Sequence, residues 1–232
     1  MPQIKAGKAG AIKGTASSNF ATARSSNGTN VYGTSGGSVG IAFRYFFNSG
    51  RGGGTHSIYR TYLYFNTTGI AASAANILIN GATNNAASFV IAKSTAFGGD
   101  GGSALDVADF TEITTTPYTT QQGTWNISGT TPQNTISLNS TAVTDINNNN
   151  AFIVVFMNSS NDFLNSAATS NTALNNGVNF GLVSSGFLTI KLDYTAAATS
   201  NITSVNTIAR SNITSFNTIA LADIDKINGI SN

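Results

Sequence analysis

The side chains that most often carry out catalysis are scarce in this chain. Its one histidine, His56, follows a glycine-rich loop, and no acidic residue lies beside it in the sequence. A general base needs both a partner and a pocket. The chain has no cysteine, which excludes thiolate metal sites and cysteine nucleophiles. No Gly-x-Ser-x-Gly sequence is present either. We therefore interpret His56 as a solvated loop residue and predict that the protein is not an enzyme.

One short acidic segment could carry chemistry. Asp106, Asp109 and Glu112 lie close together after Asp100. A pair of carboxylates is what glycosidases use, and carboxylate oxygens are ligands that calcium prefers. However, the spacing matches no EF-hand loop, and the glycines around Asp100 are not followed by the Lys-Ser/Thr of a phosphate-binding loop. We predict a solvated acidic loop that binds no metal and no cofactor.

Aromatic residues are the best binding feature of the sequence. Residues 57–65 alternate as in a strand, so that Leu63 and Phe65 face a core while Tyr62 and Tyr64 face outward. Together with Trp125, these two tyrosines could form a platform on which sugar rings stack. Strands also favour aromatic residues for packing. Packing in the core or between subunits is therefore the alternative interpretation.

Charge is sparse and unevenly placed. Charged residues make up 9% of the chain, against about 25% in typical soluble proteins. The first 99 residues hold eight of the eleven Lys and Arg residues and none of the nine acids. Two such poles can attract each other between subunits, or attract an acidic partner. The lysines are too few to indicate nucleic-acid binding, and no segment is long and apolar enough to suggest membrane insertion.

Short alternating segments dominate the middle of the chain and predict an all-β fold. Strand patterns recur at residues 41–47, 57–65, 77–79, 88–92, 151–157 and 187–194, and one helical turn follows Ser140. We predict an antiparallel, jelly-roll-like β-sandwich over residues 36–196. Residues 1–35 are rich in small residues and are predicted to form an extended N-terminal arm. Its lysines, Lys5, Lys8 and Lys13, would dock onto a neighbouring subunit.

The last segment, residues 197–232, contains an internal repeat of 11 residues. Residues 200–209 and 211–220 differ only at Val205 and Phe216, and residues 222–231 form a looser third copy. As a helix the apolar residues would form one stripe, and the alternative is a set of short extended turns. Either form leaves apolar residues to cover, so we predict a tail that packs on another subunit, rather than on the chain's own sandwich. The predicted assembly residues are Ile202, Val205, Ile208, Ile213, Phe216, Ile219, Ile224, Ile227 and Ile230.

Two stretches resemble known proteins. Residues 59–70, with Arg60, Leu63, Phe65 and Asn66 in place, and then residues 75–79, resemble the strand pair of DNRLRE-type, carbohydrate-binding-module-like jelly rolls. The ending Lys226-Ile227-Asn228-Gly229-Ile230 resembles short repeats of bacteriophage virion proteins. The low charge and the many asparagines depart from the secreted members of the first family.

These resemblances imply a structural role. We expect a component of the virion, in a tail, a fibre or a capsid decoration, that binds itself and other virion proteins. The start of the sequence shows no export signal, which fits this expectation. The alternative is a carbohydrate-binding or adhesin module that recognises a glycan on the host surface.

Overall fold

A computed structural model describes residues 1–33, 41–50, 54–80, 83–84, 88–119, 133–172, 177–180 and 190–197, and six pairs of residues in the last segment: 204–205, 208–209, 215–216, 219–220, 226–227 and 230–231. The chain divides into two compact units, residues 1–195 and 196–232. The described strands pair in antiparallel fashion. The prediction of an all-β antiparallel fold is therefore confirmed.

The first unit consists of two sheets. Its strands are β1 (Gln3–Lys5), β2 (Lys8–Gly14), β3 (Gly28–Tyr32), β4 (Ile41–Asn48), β5 (Thr55–Asn66), β6 (Ala72–Asn80), β7 (Thr83–Asn84), β8 (Phe89–Ser94), β9 (Ile113–Pro117), β10 (Gln133–Ser137), β11 (Ala151–Asn158), β12 (Gly177–Phe180) and β13 (Lys191–Ala196). The small sheet has the order β1-β13-β6-β10, and the large sheet has the order β7-β12-β4-β5-β11-β8-β9. Strand β2 joins the large sheet on β5, and β3 pairs with β2.

The core lies between the two sheets. The large sheet contributes one face of β5, β8 and β11, and the small sheet contributes the inner residues of β6 and β13. The buried residues of this layer include Leu63, Phe65, Ile77, Ile79, Phe152, Val154, Phe156 and Leu192. Successive strand residues point to opposite faces, which explains why alternate positions of each strand enter the core. The predicted inward positions Leu63 and Phe65 are confirmed.

A second apolar layer covers the other face of the large sheet. Segments between strands pack there: the helix α1 (Phe20–Ser25), the 3-10 helices Phe97–Gly99 and Val107–Thr111, and the π-helical turn Ser159–Phe163. Phe97, Phe110 and Phe163 from these segments, together with Leu105, belong to the same apolar cluster as Ile58 and Tyr62 of β5. The large sheet is thus covered on both faces at β5, and the prediction that Tyr62 faces solvent is wrong.

The predicted N-terminal arm is instead part of both sheets. Strand β1 pairs with β13, and β2 pairs with β5 over Lys8–Tyr64 through Lys13–Tyr59. Ala9, Ala11 and Ile12 are buried. The small residues that suggested an arm have another explanation, because β2 lies between two packed layers that leave little room for side chains. A Cβ on Gly14, for example, would lie 2.5 Å from the Phe110 ring.

Local polar contacts fix the ends of the short helices. The predicted helical turn after Ser140 is the helix α2 (Ser140–Asn148), and Asn139 accepts the amide hydrogen of Ala142 at its start. The acidic segment is solvated at Asp106 and Glu112, as predicted, but it contains a short helix rather than only a loop. Asp106 and Asp109 form a reciprocal capping box at the start of the helix Val107–Thr111, which gives these two carboxylates a structural role.

The second unit contains three small antiparallel strand pairs, one in each copy of the repeat: β14 (Ser204–Val205) with β15 (Ile208–Ala209), β16 (Ser215–Phe216) with β17 (Ile219–Ala220), and β18 (Lys226–Ile227) with β19 (Ile230–Ser231). Of the two conformations that the sequence left open, the extended one is therefore present. Two residues separate the strands of each pair, and they are Asn-Thr, Asn-Thr and Asn-Gly.

Candidate functional site

Tyr62 does not contribute to the predicted aromatic platform. Tyr62 has 0% of its surface exposed, and its hydroxyl donates to the carbonyl of Phe110 over 3.1 Å. Burial raises the pKa of Tyr62 above its ordinary value. Tyr64 is half-buried, and a Cβ on Gly101 would lie 2.3 Å from its ring. Trp125 lies outside the described residues. Tyr62 therefore cannot stack on a sugar, because the second apolar layer covers it.

Arg60 anchors a buried ionic network on the same face of β5. Its Nε and Nη2 donate to the two carboxylate oxygens of Asp162, over 2.9 Å and 2.6 Å. Its Nη1 donates to the carbonyl of Phe110, and its guanidinium lies 4.1 Å from the centre of the Phe110 ring. Arg24 of α1 donates from Nε to the carbonyl of Asp162 over 2.7 Å. The same Nε lies 3.5 Å from Oδ1 of Asp162, so two arginines face one carboxylate.

This network is a structural device. The side chains of Arg60 and Asp162 have 0% exposure, so no ligand reaches them. Burial alone would lower the pKa of Arg60, but the charge and hydrogen bonds of Asp162 outweigh it, and the pKa is raised. Burial lowers the pKa of Arg24, although the charge of Asp162 opposes this effect. The network ties α1 and the turn Ser159–Phe163 to the large sheet.

His56 is not a solvated loop residue. It lies in β5 with 5% exposure, and its ring stacks on Phe47 with centroids 4.3 Å apart. The Tyr45 hydroxyl lies 2.8 Å from its Nδ1 and also accepts the amide hydrogen of Ala168. A hydroxyl that accepts from Ala168 can also donate its hydrogen to Nδ1, an arrangement in which His56 is neutral with its proton on Nε2. Burial lowers the pKa of His56.

The three lysines predicted to dock on a neighbour have different surroundings. Lys8 is half-buried and donates to the carbonyls of Gly101 and Ser103 of its own chain. Lys13 lies 5.9 Å from the centre of the Tyr59 ring. Lys5 is exposed on β1. Lys8 is therefore committed to the fold, and the docking role stays a prediction for Lys5 and Lys13.

An open cleft of about 260 Å³ lies at the end of β8. Lys93 at the end of β8 donates from Nζ to Asp145 of α2 over 3.0 Å, and the hydroxyl of Tyr118 donates to the same carboxylate oxygen. Burial and the neighbouring Asp145 raise the pKa of Tyr118 above its ordinary value. Asn149 and Asn150 lie at the end of α2 beside this group.

This cleft presents fixed polar groups of both kinds, donors and acceptors, and it was not predicted from the sequence. Its residues come from β8, the loop at Asp100, Tyr118 and the segment that leads from α2 into β11. No short motif joins them. The only local sign of the cleft in the sequence is the run of asparagines from Asn147 to Asn150, which is also typical of the end of a helix.

The predicted assembly residues fall partly in the described strand pairs. Val205 pairs with Ile208, Phe216 with Ile219, and Ile227 with Ile230. Each copy of the repeat thus sets two apolar residues directly opposite each other. Ile202, Ile213 and Ile224 lie outside the described residues. The Asn-Gly between β18 and β19 is a sequence signal that could have predicted this two-residue hairpin.

Within the described residues, no three metal-ligating side chains cluster, and no helix has the length and apolar character to cross a membrane. We compared the chain with protein-family models, with curated proteins and with solved structures, and no match was found.

Proposed function

We propose that the protein is a non-enzymatic structural component that assembles through its C-terminal repeat. The observation that carries this proposal is the strand pair in each of the three copies, with two apolar residues opposite each other in the same register every time. A repeat of this kind is one structural unit that cannot bury its own apolar residues, and it needs neighbours to do so.

The size of the hairpins supports this proposal. Each strand of the repeat is two residues long, and an isolated two-stranded hairpin is marginal in water even at greater length. The segment also contains few charged residues that would keep it extended in solution: Arg210, Asp223, Asp225 and Lys226. Packing on other copies of the tail or on another protein would supply the missing burial.

The first unit needs no such partner. Both faces of its large sheet are covered by apolar layers, and the only large apolar side chains with high exposure in the described residues are Met1 and Leu164. In this proposal residues 1–195 are the body, residues 196–232 are the assembly segment, and the N-terminal strands belong to the body rather than to a second docking arm.

We place this role in a bacteriophage virion, as a tail, fibre or capsid-decoration protein whose partners are itself and other virion proteins. The resemblance of residues 226–230 to virion repeats supports this placement. The segment that resembles the DNRLRE-type domains spans β5 and β6, which lie in different sheets. On the basis of that resemblance we propose a jelly-roll type of sandwich for the body.

The test is the mass of the purified full chain in solution, measured by light scattering. We expect an oligomer or a polymer from the full chain, and a monomer with an unchanged melting temperature from a chain that ends at residue 197. If the full chain is monomeric, it should form a complex with another protein of the same particle, and the shortened chain should not.

A matched pair of variants separates the role of the apolar residues from that of the strands. Val205→Asn with Phe216→Asn removes two apolar residues, whereas Ser204→Asn with Ser215→Asn changes the neighbouring strand residues to the same amino acid. We expect the first variant to lose assembly and the second to keep it. Equal assembly by both variants and by the shortened chain would contradict the proposal.

A further inference from the structure

The cleft near Lys93 lies where two strands of the large sheet stop pairing. The ladder between β8 and β11 ends at Lys93 and Val154, although β11 begins three residues earlier at Ala151. On its other side β11 remains paired with β5 up to Ala151. Ala151, Phe152 and Ile153 therefore lie at the cleft in the stretch of β11 that does not pair with β8. Ala151 is partly exposed there, whereas Phe152 and Ile153 are buried.

The side chains around the cleft include one carboxylate that is held in place, and two side chains with free hydrogen-bond donors or acceptors. Asp145 is held by Tyr118 and Lys93. Lys93 has three ammonium hydrogens, of which one goes to Asp145. The amide of Asn150 is exposed and makes no hydrogen bond within the described residues, while its backbone carbonyl accepts from Thr67. The free donors and acceptors of Lys93 and Asn150 thus lie beside an oriented carboxylate.

The charges of the cleft select the class of ligand. The ammonium of Lys93 disfavours a bare cation, and the carboxylates of Asp145 and Asp100 disfavour an anion. A neutral molecule with several hydroxyl groups can both accept from the ammonium and donate to the carboxylate. The partly exposed Ala151 and the aliphatic stem of Lys93 offer an apolar surface to the carbon skeleton of such a molecule, as ligand sites combine apolar surface with a few placed polar groups.

The size of the cleft fits one small unit. Its volume of about 260 Å³ lies just below the range of about 300–1,000 Å³ typical of sites for drug-sized ligands. We propose that this cleft binds one neutral sugar ring, a single residue of a longer glycan, through Lys93, Asp145 and Asn150. This inference is independent of assembly through the repeat, since all of its residues lie in the first unit.

The experiment is a titration of the full chain with single sugars, followed by ligand-observed NMR. The probes are D-glucose, D-galactose, D-mannose and N-acetyl-D-glucosamine, with D-glucuronate and D-glucosamine as charged counterparts. We expect a millimolar dissociation constant for at least one neutral sugar and weaker binding of the charged probes. Absence of binding of all four neutral sugars at about 100 mM, well above a millimolar constant, would overturn the proposal.

Matched variants locate the binding. Asn150→Ala and Lys93→Ala each remove one proposed contact, and we expect the dissociation constant to rise about threefold to tenfold for each. Asn30→Ala and Lys5→Ala change exposed residues of the same types on β3 and β1, and we expect unchanged binding. Binding that survives both cleft variants, or tighter binding of either charged probe, would contradict the proposal. Light scattering of the same samples reports assembly separately.

Discussion

Neutralising Asp162 should destabilise the first unit more than any surface change. In Asp162→Asn the side chain keeps its size, but the guanidinium of Arg60 loses its counter-charge. Arg60 has 0% exposure, so water cannot replace the carboxylate, which now accepts from Nε at 2.9 Å and from Nη2 at 2.6 Å. Removing one member of a buried ion pair leaves an uncompensated charge in the interior.

The expected magnitude follows from that burial. Breaking a buried pair from one side costs about 3–5 kcal/mol, which is a large share of the about 5–15 kcal/mol that stabilises a typical domain. Urea unfolding followed by circular dichroism measures this change as a lower midpoint with an unchanged slope. We expect the loss to be accompanied by faster proteolysis of residues 159–172, because Asp162 ties that segment to β5.

Two controls test the reasoning. Lys93→Ala breaks a pair whose side chains are 39% and 21% exposed, and we expect a loss of at most about 1 kcal/mol. Arg60→Met with Asp162→Leu removes both charges, and it should be less destabilising than Asp162→Asn because no charge is left unpaired. A loss below about 1 kcal/mol for Asp162→Asn, with an unchanged slope, would refute the assignment of Arg60 as a buried, paired charge.

Further predictions concern pH, one glycine and the N-terminus. Because burial lowers the pKa of His56, the unfolded chain takes up a proton first as pH falls below about 6.5, and the free energy of unfolding should drop by up to about 1.4 kcal/mol per pH unit. His56→Gln should abolish this slope between about pH 6.5 and 5, and an equal slope in both proteins would contradict the buried, neutral histidine. Gly101→Ala should destabilise more than Gly99→Ala in urea unfolding, since both have positive φ (81° and 80°) but only Gly101 would bring a Cβ within 2.3 Å of the Tyr64 ring; equal losses would contradict this packing. Deleting residues 1–14 removes β1 and β2 and should abolish the cooperative melting transition, whereas a true arm could be deleted without loss of the fold.

The sequence predicted the inter-sheet core better than the outer layer, for a physical reason. Alternation along β5 identifies its two faces, and Leu63 and Phe65 lie in the inter-sheet core as predicted. Alternation does not tell whether the second face meets water. That face is covered by α1, two 3-10 helices and a π-helical turn, which contribute single aromatic residues such as Phe110 within segments of loop-like composition. Tyr62 was therefore assigned to the surface.

The same limit applies to the polar residues. Arg60 and Asp162 are 102 residues apart in the chain, and neither has a neighbour in sequence that indicates a buried pair. Lys93, Tyr118 and Asp145 likewise meet only because three separate elements end at one place. Local contacts are easier to predict from the sequence. The helical turn after Ser140 was predicted correctly, although Asn139 rather than Ser140 accepts the capping hydrogen bond.

The two units differ in whether their polar and apolar groups find partners within the same unit. This difference connects the structure to the proposed role. In the body even the guanidinium of Arg60 has its partners inside the same unit. The surface of the body can therefore present the proposed binding cleft without a neighbouring protein. In the proposed role the repeat instead needs a neighbour to cover its apolar residues. Its apolar pairs recur at an identical register in Val205–Ile208, Phe216–Ile219 and Ile227–Ile230, on strands too short to be stable alone. Because each copy adds a similar contact, the strength of assembly should grow with the number of copies. If the proposed division is correct, a chain that ends at residue 197 should stay folded but should no longer assemble.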